Sequence, residues 1–333
     1  MKLPIETPNP LFGLYLYPQA KSFMESQQDV SWSAQEIPVD DDKHDYLSVM
    51  SISQRRLTDT TLQLFVEIEQ RVGEVWAIIA SWFPHSEIEG ACSEISRMEK
   101  SVHAFFYQKM SDVLNIDPEA IAENQKTISV LREKLELLNS ITSDLSANKP
   151  LTLFTVAAIE QVLLFSNFAM LKSFKANGHN LIKKTLTGVD YVIQDEQLHG
   201  DFAAYLHNTY ISELGYYPVG HQEKCIAIIQ EIIAHEDAVI DYIYGDIPVI
   251  NDITPEQLKV FIRSRADTLM ELMHMPHIFS ITQPNPIATW FYQGIKSIKI
   301  HDFFAASTTQ YRKNWKIDNF SRLPHIGDIN GNI

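Results

Sequence analysis

Residues 151–174 read LTLFTVAAIEQVLLFSNFAMLKSF, the body of a segment 151–176 that is apolar on nearly every side and holds one acid, Glu160. A helix without a polar face belongs in the centre of a bundle. A carboxylate inside such a helix is tolerated when it is paired or bound to metal. Three and four positions from Glu160 stand Val156, Ala157, Leu163 and Leu164, so its own face is apolar. The plainer alternative is a Glu paired with an Arg or Lys elsewhere in the chain.

Working outward, proline is absent between Pro38 and Pro84 and between Pro150 and Pro218, and only 12 of 333 residues are glycine, about half the usual ~7%. Long windows without helix breakers predict long helices. Segment 57–82 carries Leu64, Ile68, Val72, Val75 and Ile79 at helical spacing and ends at Pro84; segment 87–114 repeats the pattern with Ile88, Cys92, Ile95, Val102 and Phe106. Further helices are predicted over 118–146, 179–213, 221–244, 255–273 and 301–313. The fold class is therefore all-α: a helical bundle with additional helices over 43–313. An extended N-terminal arm, 1–42, precedes it, and a flexible C-terminal tail, 314–333, follows.

Composition narrows the function. With 27 Lys+Arg against 42 Asp+Glu the net charge is −15, which argues against nucleic acid as a partner, because phosphate recognition needs clustered cations. No stretch approaches the ~20 uninterrupted apolar residues of a membrane span, so no membrane partner is expected. Cys92 and Cys225 form neither a CxxC pair nor a metal knuckle. A cytoplasmic location is the expectation.

Three further segments place acids beside histidines. Glu196 and His199, in DEQLHG, are at i, i+3 on one helix face. Glu99 and His103, in MEKSVHAFFY, are at i, i+4, with Tyr107 a turn further along. Glu69 lies on the preceding helix. In chain order the set is Glu, Glu/His, Glu, Glu/His. Helical bundles build dinuclear carboxylate centres from that combination, and oxygen ligands with two imidazoles suit iron or manganese. Four carboxylates and two divalent ions cancel in charge, so the filled site can be buried.

From about Trp32 to Tyr311 these residues resemble the small, radical-generating subunit of class I ribonucleotide reductase, which is a ferritin-like protein. The resemblance implies that Glu69, Glu99, His103, Glu160, Glu196 and His199 are metal ligands. It further implies that Tyr107 carries a radical in apolar surroundings; helix spacing from Glu160 and Glu196 offers Leu164, Phe168 and Val192 as that lining, ordinary core being the plainer alternative for each. Asp195 would link a metal histidine to Trp32, which stands in a WSAQEI segment similar to the family's W-x-P-E-E-I. NPIATWF (285–291) and HDFFAASTTQY (301–311) resemble its closing helices. The implied cofactor is two iron ions, with manganese or a mixed manganese/iron pair as alternatives. The implied partners are a second copy of the chain, as a homodimer, and a large subunit that binds the tail and reduces ribonucleoside diphosphates.

The sequence departs from the family in three places. Glu69 stands where the family usually has Asp. Lys100, not Glu, lies three residues before His103; Glu99 takes the ligand role if a helical bulge absorbs one residue, and the rival is that Lys100 replaces a ligand. After Tyr311 the tail has no tyrosine to relay a radical. Two other functions compete: a ferritin-like di-metal oxidase or monooxygenase acting directly on a small apolar substrate, and a helical storage or scaffold protein with a vestigial site. Tyr107, Trp32 and the tail favour the reductase subunit, since an oxidase needs none of them.

Overall fold

The computed structural model describes residues 2–292, apart from 12 and 144. Among the described residues there is no strand; one antiparallel bridge joins Ile250 and Ile253. The predicted helix 301–313 and the tail 314–333 lie outside the described residues.

Helix α1 is Pro18–Asp29 and α2 is Ile52–Ala80. Helix α3 comprises Ser86–Met98, a π turn Glu99–His103 and Ala104–Val113. Next come α4 (Pro118–Thr127) and α5 (Ser129–Ile141). Helix α6 comprises Lys149–Ala158, a second π turn Ile159–Leu163 and Phe165–Lys172. Helices α7 (Lys183–Leu214), α8 (His221–Tyr244), α9 (Pro255–Leu272) and α10 (Pro286–Phe291) complete the described chain. The bundle core is α2 against α3 and α6 against α7, with α2 also meeting α6, while α8 and α9 pack over the outer side of α6.

Helix α6 is long and apolar enough to cross a membrane by length and composition, but its most apolar window is wholly buried inside the protein. It is the central helix that its all-round hydrophobicity predicts.

The arm differs from the extended segment read in the sequence, because it contains α1, a 12-residue helix packed on α3 and α7. Its inward face is Ala20, Ser22, Phe23, Ser26 and Gln27, mostly small or polar residues. A hydrophobic-period search sees nothing there. The segment 118–146 is also two helices, because Ile128 takes an extended conformation (φ −83°, ψ 107°).

The start of α7 shifts from 179 to 183 for a local reason. Asn180 and Ile182 have positive φ, and helix growth begins only beyond them. Both carboxylate oxygens of Asp42 then accept the amides of Lys184 and Thr185 (3.3 and 2.6 Å), which satisfies otherwise orphaned first-turn donors. The arm is thereby tied to the helix that carries Asp195, Glu196 and His199.

Candidate metal centre

The six residues singled out in the sequence come together at the middle of the bundle. Glu69 projects from α2, Glu99 and His103 from the π turn of α3, Glu160 from the π turn of α6, and Glu196 and His199 from α7; all are fully buried. They form two overlapping groups, Glu69/Glu99/His103/Glu196 and Glu99/Glu160/Glu196/His199, each with its ligand-type atoms within 4.8 Å of one another.

The two shared residues divide their oxygens between the groups. Glu99 sets Oε2 3.5 Å from His103 Nδ1 and Oε1 2.7 Å from His199 Nδ1. Glu196 sets Oε1 2.9 Å from His103 Nδ1 and Oε2 3.4 Å from His199 Nδ1. A carboxylate that offers one oxygen to each of two neighbouring groups could serve a cation held in either.

The π turn explains how Glu99 joins His103. In a regular α-helix a residue four before His103 projects about 40° off it; the extra residue of the turn brings Glu99 inward, while Lys100 is exposed. The turn fits because α2 presents Gly73, where a Cβ would stand 2.7 Å from Lys100 Cγ and 2.9 Å from Glu99 Cβ.

The outward nitrogens fix the imidazoles. His103 Nε2 is 3.0 Å from Asp195 Oδ2, an acceptor when ionised. Gln27 donates Nε2 to Asp195 Oδ1 at 3.0 Å, so its Oε1 faces His199 Nε2, also at 3.0 Å. Both histidines therefore donate outward from Nε2 and turn Nδ1 toward the carboxylates, the orientation that metal-binding imidazoles need. Trp32, nearly buried, donates Nε1 to Asp195 Oδ2 at 2.8 Å. Trp32, Asp195 and His103 thus form one continuous chain.

Four carboxyl groups and two imidazoles buried together shift one another's proton affinities. Burial first, and then the Glu196 and Glu99 charges, push Glu69 and Glu160 far above the ordinary carboxyl range. Burial opposes ionisation of Glu99 and Glu196 too, as does the Glu99 charge for Glu196, yet the carboxyls of Glu69 and Glu160, hydrogen-bonded to Glu99 and Glu196 respectively, and then the imidazoles hold both below it. For the histidines burial works against the charged form, but the carboxylates raise His199 to about 9 and His103 well above its usual value. Glu69 Oε1, both oxygens of Glu99 and Glu196, Glu160 Oε2 and His199 Nδ1 are buried with no aligned hydrogen bond. Orphaned acceptors converging in a dry interior are what divalent cations satisfy, so the donor set fits two such ions.

Tyr107 is fully buried and its hydroxyl has no hydrogen-bond partner. Burial, and next the Glu69 charge, push its phenol well above its usual range. Of the lining read from helix spacing, Leu164, Phe168 and Val192 are all fully buried. The ring that covers Tyr107 is another one, Phe65, which also stacks on Phe168 at 4.8 Å.

Sequence reasoning missed Phe65, Gln27 and Trp76, whose Nε1 donates to Glu160 Oε1 at 2.7 Å. A signal existed for two of them: Phe65 lies four residues before Glu69 and Trp76 seven after, on the same face of α2.

Comparison with known proteins places the chain in a family. The family described as "Ribonucleotide reductase, small chain" matches residues 14–286. A ribonucleoside-diphosphate reductase small chain of African swine fever virus is 20% identical over 94% of each chain. A probable small subunit of the same enzyme from Invertebrate iridescent virus 6 is 24% identical over 82% of this chain and 84% of that one. Among solved structures, the dimanganese(II) NrdF of Streptococcus sanguinis superposes with a TM-score of 0.72 at 20% identity, covering 85% of this chain and 98% of that one. The Rnr4 homodimer of Saccharomyces cerevisiae gives 0.71 at 16% identity, covering 88% and 91%.

Proposed function

The chain belongs to the small-chain family of ribonucleotide reductase, and from that premise we propose that its buried carboxylate–histidine cluster holds two metal ions and generates a radical on Tyr107. The observation that carries this reading is the division of the Glu99 and Glu196 oxygens between the two groups. Glu69 and His103 complete one metal set; Glu160 and His199 complete the other. Two iron ions are our assignment, with manganese or a mixed pair fitting the same ligands. Lys100, exposed and turned away, takes no ligand role.

Bound there, the two ions would supply the oxidising power, drawn from O2, that removes one electron from Tyr107. The protein's own residues shape the rest. The phenol starts neutral, so its proton leaves with the electron. The radical then sits in an apolar interior with Phe65 over its face and no hydrogen-bond donor at its oxygen, which keeps water and reductants away. His103, Asp195 and Trp32 offer the hydrogen-bonded path by which the oxidising equivalent leaves the centre.

We assign ribose reduction to a large subunit, docked through the tail 314–333, and the small chain to a homodimer. Buried Cys92 and Cys225 support that division, because burial pushes both thiols up, Cys225 to about 12. Neither is suited to act as a reductant.

The test is aerobic loading with Fe(II), with metal content and electron paramagnetic resonance measured together. Two metals per chain and a tyrosyl signal that Tyr107→Phe abolishes are expected. A signal unchanged in that variant would refute the role of Tyr107, and full metal occupancy in Glu99→Ala would show that the wrong ligand was chosen.

A further inference from the structure

Gln161 and Gln197 each follow a carboxylate of the second group, Glu160 and Glu196. One residue is a 100° step around a helix, so these glutamines face away from the centre, and there they share one cation. Arg265 of α9 is 4% exposed. Its Nε donates to the backbone carbonyl of Gln161 at 3.0 Å, inside the π turn of α6. Its Nη2 donates to the side-chain oxygens of both Gln161 and Gln197, the latter at 3.2 Å, and its Nη1 donates to Tyr292 Oη at 3.0 Å. The guanidinium also lies 3.9 Å from the ring centroid of Phe165.

Gln161 closes the frame. Its Nε2 donates to the Gln197 carbonyl at 3.1 Å and to Asp201 Oδ1 at 3.2 Å, and Gln197 Nε2 reaches the same Asp201 oxygen at 2.9 Å. Gly200 leaves the room for this crossing, since a Cβ there would overlap Gln161.

A π turn interrupts the regular ladder of helix hydrogen bonds, and its phase decides which way the side chains inside it point. Arg265 grips that turn by a backbone oxygen and by the side chain next to Glu160, and with the same fork it grips the residue next to Glu196. We propose that Arg265 is a positioning residue of the metal centre, holding α6 and α7 in the register that turns Glu160 and Glu196 toward one cation. The inference rests on the reading of these carboxylates as metal ligands. The clamp bears unequally on the two groups: Glu160, Glu196 and His199 of the second lie on the gripped helices, whereas of the first only Glu196 does, and Glu69, Glu99 and His103 lie on α2 and α3.

Anaerobic titration with Fe(II) or Mn(II), counting equivalents and affinities, tests it without turnover. Wild type is expected to take up two equivalents. Arg265→Met is expected to keep the first and weaken the second about 10- to 100-fold, the usual loss when a partner of a metal ligand is removed. Arg265→Lys keeps the charge but lacks the planar fork that spans both glutamines, and it is expected not to rescue. Tyr292→Phe removes only the outermost contact and is expected to bind both ions normally. Where Arg265→Met does not fold, Gln197→Met removes the α7 half of the clamp and is read in the same way. Two equivalents at wild-type affinity in folded Arg265→Met, or full rescue by Lys, would overturn the positioning role. No uptake by wild type would instead overturn the metal centre itself.

Discussion

The ring of Phe65 lies flat on the ring of Tyr107, with 4.5 Å between centroids and 8° between planes. Phe65 belongs to α2 and Tyr107 to α3, so the cover over the phenol comes from the helix that also supplies Glu69. Phe65→Leu keeps the site apolar and costs about 1 kcal/mol of stability, but it opens one face of the ring. We expect the tyrosyl signal to form and then decay at least about tenfold faster than wild type. The decay rate, followed by electron paramagnetic resonance at fixed metal content, is the measurement; an unchanged lifetime would show that the stack does not protect the radical.

Gly73 faces the π turn of α3. In an ordinary helix interior Gly→Ala adds up to about 1 kcal/mol of stability. Here the new Cβ would press on Glu99 Cβ at 2.9 Å and on Lys100 Cγ at 2.7 Å. The lysine chain can move aside, whereas Glu99 Cβ is anchored to the backbone of the turn. Gly73→Ala is therefore expected to fold but to bind fewer than two metals per chain, as elemental analysis would show; two metals at wild-type affinity would mean the turn tolerates the shift.

A fully buried ion pair joins Lys134 Nζ of α5 to Glu236 Oε1 of α8 at 2.6 Å, with Ser166 of α6 donating to the other carboxylate oxygen. Removing one partner leaves an uncompensated charge in the core, at a cost of about 3–5 kcal/mol. Lys134→Met should lower the unfolding free energy measured by urea titration by that amount, and Lys134→Met/Glu236→Leu should recover most of it. A single variant as stable as wild type would show that the pair is dispensable.

His207 gives the fold an acid limit. Asn208 Nδ2 donates to the Leu272 carbonyl, which turns its Oδ1 toward His207 Nδ1 at 3.0 Å; His207 Nε2 is then bare and faces His221 Nε2 at 3.0 Å. Burial, opposed by the Asn208 contact and reinforced by the His221 and His274 charges, lowers the His207 pKa to about 4. The unfolded chain titrates near 6.5 and so binds the proton first. The contribution to stability is complete above about pH 6.5 and is lost as pH falls toward 4, on the order of 3 kcal/mol. Denaturation midpoints between pH 7 and pH 4.5 should fall less steeply in His207→Gln than in wild type. Parallel slopes would exclude His207 as the cause.

The sequence by itself determined the all-α fold and which acids and histidines gather in one buried cluster. An apolar helix that holds one acid, and histidines set three or four residues from glutamates, are local patterns fixed by helical spacing and by the cost of burying charge. Glu160 and the Glu196/His199 pair were legible for that reason. The tertiary structure alone decided how those residues meet. A π turn inserts one residue without any mark in composition, so which of Glu99 and Lys100 faces the buried cluster became legible only with the turn packed against Gly73. Gln27 was invisible because α1 buries a polar face, and Arg265 because its acceptors belong to residues 104 and 68 positions away. Hydrophobic periodicity records which face a helix buries. It carries no information on which polar group waits across the gap, because that depends on how separate helices are rotated against one another.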